Sequence, residues 1–108
     1  MSITINIYYK GNGDNAKRFA EEMENSGIAA QIRSEEGNEE YRYFMPLDDQ
    51  DTVLLIDKWK DQSALDAHHA SPMMAQIAKL RDKYDLHMQV ERYVSNTDAT
   101  SDDKFIRK

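Results

Sequence analysis

The sequence predicts an α+β fold with the element order β-α-β-β-α-β, and three observations predict it. The chain begins with strict alternation, Ile3, Ile5, Ile7 and Tyr9 against Thr4, Asn6, Tyr8 and Lys10, the period of a strand with one apolar face. Two later stretches, Ala16, Phe19, Ala20, Met23 and Met73, Ile77, Leu80, Tyr84, carry apolar residues at helical spacing. Between them, the acidic loop from Asp48 to Asp51 is too short for a crossover, so the strands on either side of it pair as an antiparallel hairpin. This split βαβ order is the ferredoxin-like plan, a four-stranded antiparallel sheet with both helices on one face.

Each element follows in turn. After the first strand, Lys10-Gly-Asn-Gly-Asp is a turn that ends in a capping residue, and the first helix spans roughly residues 15 to 26. Gly27 either ends that helix or is carried inside it to Arg33, at a cost of about 1 kcal/mol. Glu36-Gly37-Asn38 is a second turn. Tyr41, Tyr43, Met45 and Leu47 then alternate with Arg42 and Phe44 in a second strand, and Pro46 puts its end at a sheet edge. Leu86, Met88, Val90 and Val94 alternate with polar residues in the last strand.

The stretch from Thr52 to Met74 is the centre of the chain. Val53, Leu54, Leu55 and Ile56 form an apolar run, and such a strand needs both faces of its sheet covered. Helices of the same chain supply one cover, and a second subunit is the economical source of the other, so the sequence predicts a homodimer. Asp61 or Ser63 caps the next helix, on which His68 shares a stripe with Ala64 and Leu65 and points inward. Ser71-Pro72 separates that helix from the following one.

Length and composition bound the function. A chain of 108 residues with one core is predicted to form a single domain over residues 1–95, followed by a polar tail over 96–108 with an isolated Phe105-Ile106 pair, either flexible or an arm onto a neighbour. A formal charge of −6 argues against a nucleic-acid partner. The absence of cysteine excludes disulfides, thiolate catalysis and Cys-ligated metal centres. No stretch approaches the ~18 apolar residues of a membrane span, and no basic-then-apolar leader opens the chain. The expectation is a cytoplasmic protein with no membrane association.

Arg33, Glu35, Gly37 and Tyr41, then Asp57, Trp59, Asp61, Ala64-Leu65, His68 and Ser71-Pro72, form an extended pattern. It reads R-x-E-x-G-x-x-x-Y into the second strand, an acidic residue two before a Trp, and a His nine after that Trp. Over residues 1 to 94 the chain resembles the antibiotic biosynthesis monooxygenase family. The resemblance implies a dimeric α+β barrel in which two ferredoxin-like sheets pack face to face. It also implies oxygen insertion into an electron-rich quinol-like or phenolic aromatic by molecular oxygen without flavin, haem or metal, the substrate itself supplying the electrons. The protein would offer a dry pocket and groups that deprotonate and orient a phenolate.

The matched positions for that chemistry are His68 as base or orienting donor and Trp59 as pocket wall. Asn6, Tyr41 and Asp57 are candidate polar contacts to substrate and Met73 is a candidate apolar one. Each has a plainer reading. Trp59 at the end of a buried strand is by default a core anchor, His68 a hydrogen-bonded core histidine, Tyr41 and Tyr43 packing on one sheet face, and Met73 gap-filling core. Departures from the family pattern bear on two other functions. Met73 and Met74 stand where many members carry a second His, which favours a non-catalytic ligand-binding dimer. Ala78 stands near where the haem-degrading branch carries its axial His, which disfavours haem ligation. His68 and His69 are adjacent rather than four apart, so a helical metal site is not expected. Another branch handles a phosphorylated sugar, which here would require Arg33, Arg42, Lys58 and Arg92 to converge.

Overall fold

The structure is a computed structural model and describes residues 1–96 and 100–107. Its elements are β1 Ile3–Lys10, α1 Asn15–Asn25, α2 Ile28–Arg33, β2 Asn38–Phe44, β3 Thr52–Trp59, α3 Gln62–His69, α4 Met73–Lys83 and β4 His87–Val94. The strands form one antiparallel sheet in the order β2-β3-β1-β4, the ferredoxin-like arrangement predicted from the sequence. Among the described residues no helix is long and apolar enough to cross a membrane.

Strand registers sort the side chains onto two faces. Ile5 pairs with Asp57 and Arg92, and Ile7 pairs with Leu55 and Val90, so these residues share the face that looks toward the helices. Val53, Leu55, Asp57 and Trp59 of β3 are buried there. Leu54, Ile56 and Lys58 point the other way and are half-buried, together with Asn6 and Tyr8. The apolar run 53–56 therefore divides between a covered and an uncovered face. The helical layer buries Ala16, Phe19, Ala20 and Met23 from α1, Ile28, Ala29 and Ile32 from α2, Ala64, Leu65 and His68 from α3, and Ile77 from α4.

Local chemistry sets the boundaries. Gly27 adopts φ 87°, which breaks the first helical region into α1 and α2 and decides between the two readings of that glycine. β2 stops at Phe44, so the expected strand through Met45 and Leu47 is corrected: Pro46 has no N–H to give and biases Met45 away from the helical region, and Leu47 is fully exposed in the loop. Asp61, not Ser63, caps α3, its Oδ1 accepting from the Ala64 N–H at 2.9 Å. Pro72 precedes α4 with φ −64°. Of the polar tail, Thr100–Phe105 forms a 3-10 turn with Phe105 and Ile106 exposed, while residues 97–99 and 108 lie outside the described residues.

One contact fixes where α3 begins. Gly37, at φ 85°, lies so close to α3 that a Cβ on it would stand 2.5 Å from the Ala64 Cβ, and its carbonyl accepts from the Lys60 N–H at 2.8 Å. Gly27 has the same backbone sign but no atom within 4 Å of the Cβ position. Gly27→Ala should cost about 1–2 kcal/mol for the left-handed backbone alone. Gly37→Ala should cost roughly 3 kcal/mol or more, because α3 must also shift. Urea unfolding of the two variants checks this, and equal losses would show that the approach of α3 to the turn is not under this constraint.

Candidate active site

Trp59 closes the buried end of β3 and lies on the helix-facing side of the sheet, fully buried. Its indole N–H donates to Asp57 Oδ1 at 2.6 Å, the residue two before it on the same face. The His68 ring stacks on the indole with centroids 4.8 Å apart and planes 25° from parallel. On its other side, His68 Nδ1 lies 3.0 and 3.2 Å from the two carboxylate oxygens of Glu35, in the turn after α2. The site is thus a continuous chain, Glu35 to His68 to Trp59 to Asp57, drawn from three elements.

Burial is nearly complete, with His68 4 % and Asp57 5 % exposed. The Glu35 side chain is 20 % exposed and forms the outward end of the chain. A carboxylate accepts and does not donate, so Nδ1 of His68 carries the hydrogen and Nε2 is the free base nitrogen. Burial pushes His68 below its ordinary value, and the Glu35 carboxylate offsets part of that push. Asp57 moves the other way: burial raises its carboxyl to about 7, the Trp59 N–H pulls it down in part, and the negative charge of Glu35 adds to the rise. A neutral base and a readily protonated acid therefore flank one indole.

The other sequence candidates divide. Tyr41 pairs with Asp57 across the sheet and is buried, but its hydroxyl is 3.0 Å from the Tyr43 hydroxyl, so the two phenols satisfy each other. Burial raises both phenols well above the ordinary tyrosine value. Met73, at the start of α4, is half-buried against the core. Asn6 pairs with Ile56, on the opposite face from Asp57 and Trp59, so the structure does not bring it to the others. The strand's period of two separates it from them. Its Oδ1 is buried without a hydrogen-bond partner among the described residues.

The four basic residues considered for a phosphate do not converge. Arg33 is held at the β2 edge by Glu24 and by the Tyr41 carbonyl. Arg42 and Lys58 lie on the uncovered face and Arg92 on the helix-facing one. Ala78 is exposed on α4 and has no ligating atom. Among the described residues no group of three or more His, Asp or Glu side chains is arranged to hold a metal ion.

Glu35 is the residue that reading for chemistry missed. The R-x-E-x-G pattern contains it, but nothing in the sequence pairs it with His68. Folding is what brings it 33 positions along the chain to His68.

The opposed shifts of Asp57 and His68 give stability a defined pH dependence. Asp57 binds its proton more tightly when folded, so its contribution is complete below the ordinary aspartate range and is lost as pH rises to about 7. His68 binds its proton less tightly when folded, so its contribution is complete above its ordinary 6.5 and is lost as pH falls. Asp57→Asn keeps an acceptor for the indole N–H and removes the first limb. It should be more stable than the parent at pH 8 by roughly 1–3 kcal/mol, with the gain shrinking toward pH 5. Unfolding midpoints at the two pH values check this, and a gain independent of pH would disprove the assignment of the limb to Asp57.

Comparison with known proteins agrees with this fold. The sequence profile described as antibiotic biosynthesis monooxygenase matches residues 2–80. A protein of Bacillus subtilis (strain 168) named "Putative monooxygenase YcnE" is 28 % identical over 67 residues, 62 % of this chain and 68 % of that one. Among solved structures, SnoaB from Streptomyces nogalater, described as a cofactor-independent oxygenase, superposes with a TM-score of 0.73 at 13 % identity, covering 92 % of this chain and 97 % of that one. Rv0793 from Mycobacterium tuberculosis superposes with a TM-score of 0.75 at 16 % identity, covering 93 % and 100 %. The two structures establish the shared fold. With the profile match spanning most of its length and the pattern from Arg33 to Pro72 in place, the chain belongs to the antibiotic biosynthesis monooxygenase family.

Proposed function

We propose that the protein is a cofactor-independent monooxygenase that oxidises a quinol-like or phenolic aromatic with molecular oxygen. The observation that carries this reading is the Glu35-His68 pair, which leaves a buried, neutral imidazole with Nε2 free, beside an indole wall. His68 takes the phenolic proton, and the phenolate gives one electron to oxygen. Recombination forms a carbon–oxygen bond at a ring C–H position. Loss of water from the resulting hydroperoxide leaves one oxygen on the substrate as a carbonyl, and the other leaves as water with the single hydrogen of the oxidised carbon and the phenolic proton, returned to the peroxide by His68. Glu35, at the partly exposed end of the chain, steadies the imidazolium that forms. Trp59 supplies the flat apolar wall and Met73 a soft one.

In this reading the chain works as a homodimer that covers the free sheet face, where Leu54, Ile56, Phe44 and Tyr93 are half-buried or exposed. Light scattering at micromolar protein should give twice the chain mass, and a monomer would remove the dimer from the proposal.

The central test is oxygen uptake with a panel of hydroquinones and dihydroxynaphthalenes, corrected for autoxidation. Uptake should saturate with substrate and fall at least about a hundredfold in His68→Ala, the lower end of a lost general base. Because His68 must be neutral and lies below its ordinary 6.5, the acidic limb of kcat/KM should fall below that value. Glu35→Gln removes the charge that holds the imidazolium and should move the limb lower still. A limb that does not respond to Glu35→Gln would separate Glu35 from the reaction. Met73 and Met74, in place of a second His, favour a ligand-binding dimer without chemistry, and no uptake above background across the panel would decide for it.

A further inference from the structure

The candidate site is closed to anything the size of an aromatic ring. Trp59 is 0 %, His68 4 % and Asp57 5 % exposed. The surface cavities of about 630 Å³ beside Arg33 and Arg42, and of about 350 Å³ beside Tyr8 and Thr52, include none of the three. Glu35 holds Nδ1 of His68 from the turn that follows α2, so the free Nε2 points away from that turn. α4 follows α3 directly, and its Arg81 is near enough to His68 for its charge to disfavour the imidazolium. α4 is therefore the part of the cover beside the imidazole that is not itself built into the Glu35-His68-Trp59 chain. A substrate reaches Nε2 when this cover moves.

The two ends of α4 are held differently. Side chains tie down the C-terminal end: Arg81 Nη2 donates to the Tyr9 hydroxyl at 2.9 Å, Lys83 Nζ and the Tyr84 hydroxyl both donate to Glu22 of α1, and Asn15 Nδ2 donates to the Tyr84 carbonyl. In the middle, Ile77 is fully buried. The N-terminal end starts at the Ser71-Pro72 corner, where the bonds are local backbone ones, from the Ser71 N–H to the His68 carbonyl at 3.0 Å and from the Met74 N–H to the Ser71 carbonyl at 3.2 Å. Met73 and Met74 are half-buried there, while Pro72, Ala75 and Gln76 are exposed. Unbranched thioethers repack at little cost. Ser71 adds a fault to the closed form, because its Oγ is buried without a hydrogen-bond partner among the described residues. Swinging outward gives that hydroxyl to water, so the orphan lowers the cost of opening.

We propose that the Ser71-Pro72 corner and the first turn of α4, residues 71–76, form a gate that opens outward about Ile77 and the tethered end of the helix, uncovering Nε2 of His68 and the Trp59 indole. α3 stays in place, because Asp61 caps its start and Glu35 and Trp59 hold His68 near its end. The inference rests on the reading of His68 as the group that meets the substrate.

Native-state hydrogen exchange of the full chain, followed by NMR with no substrate present, tests the gate. The Trp59 indole N–H, bonded to Asp57, exchanges through the gate, whereas the Leu55 amide in the central β3 strand exchanges by global unfolding. Relative to their unprotected rates, the indole should exchange at least about tenfold faster than Leu55. Ser71→Ala removes the orphan and should slow the indole against Leu55 at least about fivefold, equivalent to about 1 kcal/mol, the lower end of the cost of an unsatisfied buried hydroxyl. Ser63→Ala, at the exposed opposite end of α3, should leave the ratio unchanged. Dividing by Leu55 removes any change in global stability. Exchange of the indole together with Leu55, a ratio that Ser71→Ala does not lower, or an equal fall in Ser63→Ala would overturn the gate. Oxygen uptake keeps the two readings apart: gated exchange with no uptake refutes the oxygenase while the gate stands, and uptake with the indole exchanging together with Leu55 refutes the gate while the oxygenase stands.

Discussion

The close approach of α3 to the turn at Gly37 is the constraint on which the site depends. With no Cβ at Gly37, the first turn of α3 settles against the backbone, the Lys60 N–H reaches the Gly37 carbonyl, and Asp61 caps the helix in that position. His68 comes two turns later on the inward stripe, so the height at which α3 starts decides where the imidazole lands. The same turn carries Glu35. One contact thereby sets the imidazole against both the indole of Trp59 and the carboxylate that orients it.

Around that contact the protein keeps ionisable groups out of water with little fixed charge of opposite sign beside them. Asp57 has the Trp59 N–H as its side-chain donor, and His68 has a carboxylate that is itself partly exposed. Burying a charge without full pairing is expensive, and both groups respond by favouring their neutral forms. The interior is thus polar in its hydrogen bonding and nearly uncharged, a setting in which a phenolate formed in place would feel nearby donors strongly. The tyrosines follow the same rule, Tyr41 and Tyr43 bonding to each other and Tyr9 receiving the Arg81 guanidinium.

Much of this was legible in the sequence where a periodicity reports a face. The alternation of Ile3 to Tyr9, the helical spacing of Ala16 to Met23 and the inward stripe holding His68 each appear in the structure as read. Endpoints were less legible, because Pro46 stops β2 before Met45 although the side-chain alternation runs on. The β4 column is only half legible: Met88, Val90 and Val94 keep the strand alternation as read, but their exposure depends on how far the helical layer reaches across the sheet, and no local pattern encodes that. The Glu35-His68 contact joins two segments that only the β2-β3 hairpin and the α3 packing bring together. The separation of Asn6 from Asp57 follows from a register between strands far apart in sequence.

Trp59 has a consequence beyond packing. It is the only tryptophan in the chain, and it is fully buried between the imidazole of His68 and the carboxyl of Asp57. The near-ultraviolet emission of the protein is therefore dominated by a single indole whose nearest polar neighbours are the two groups that titrate in the site. An imidazolium stacked on an indole quenches it, and a neutral imidazole does so far less. The molecule carries its own optical gauge of the protonation state of its base, readable in the native chain without a label.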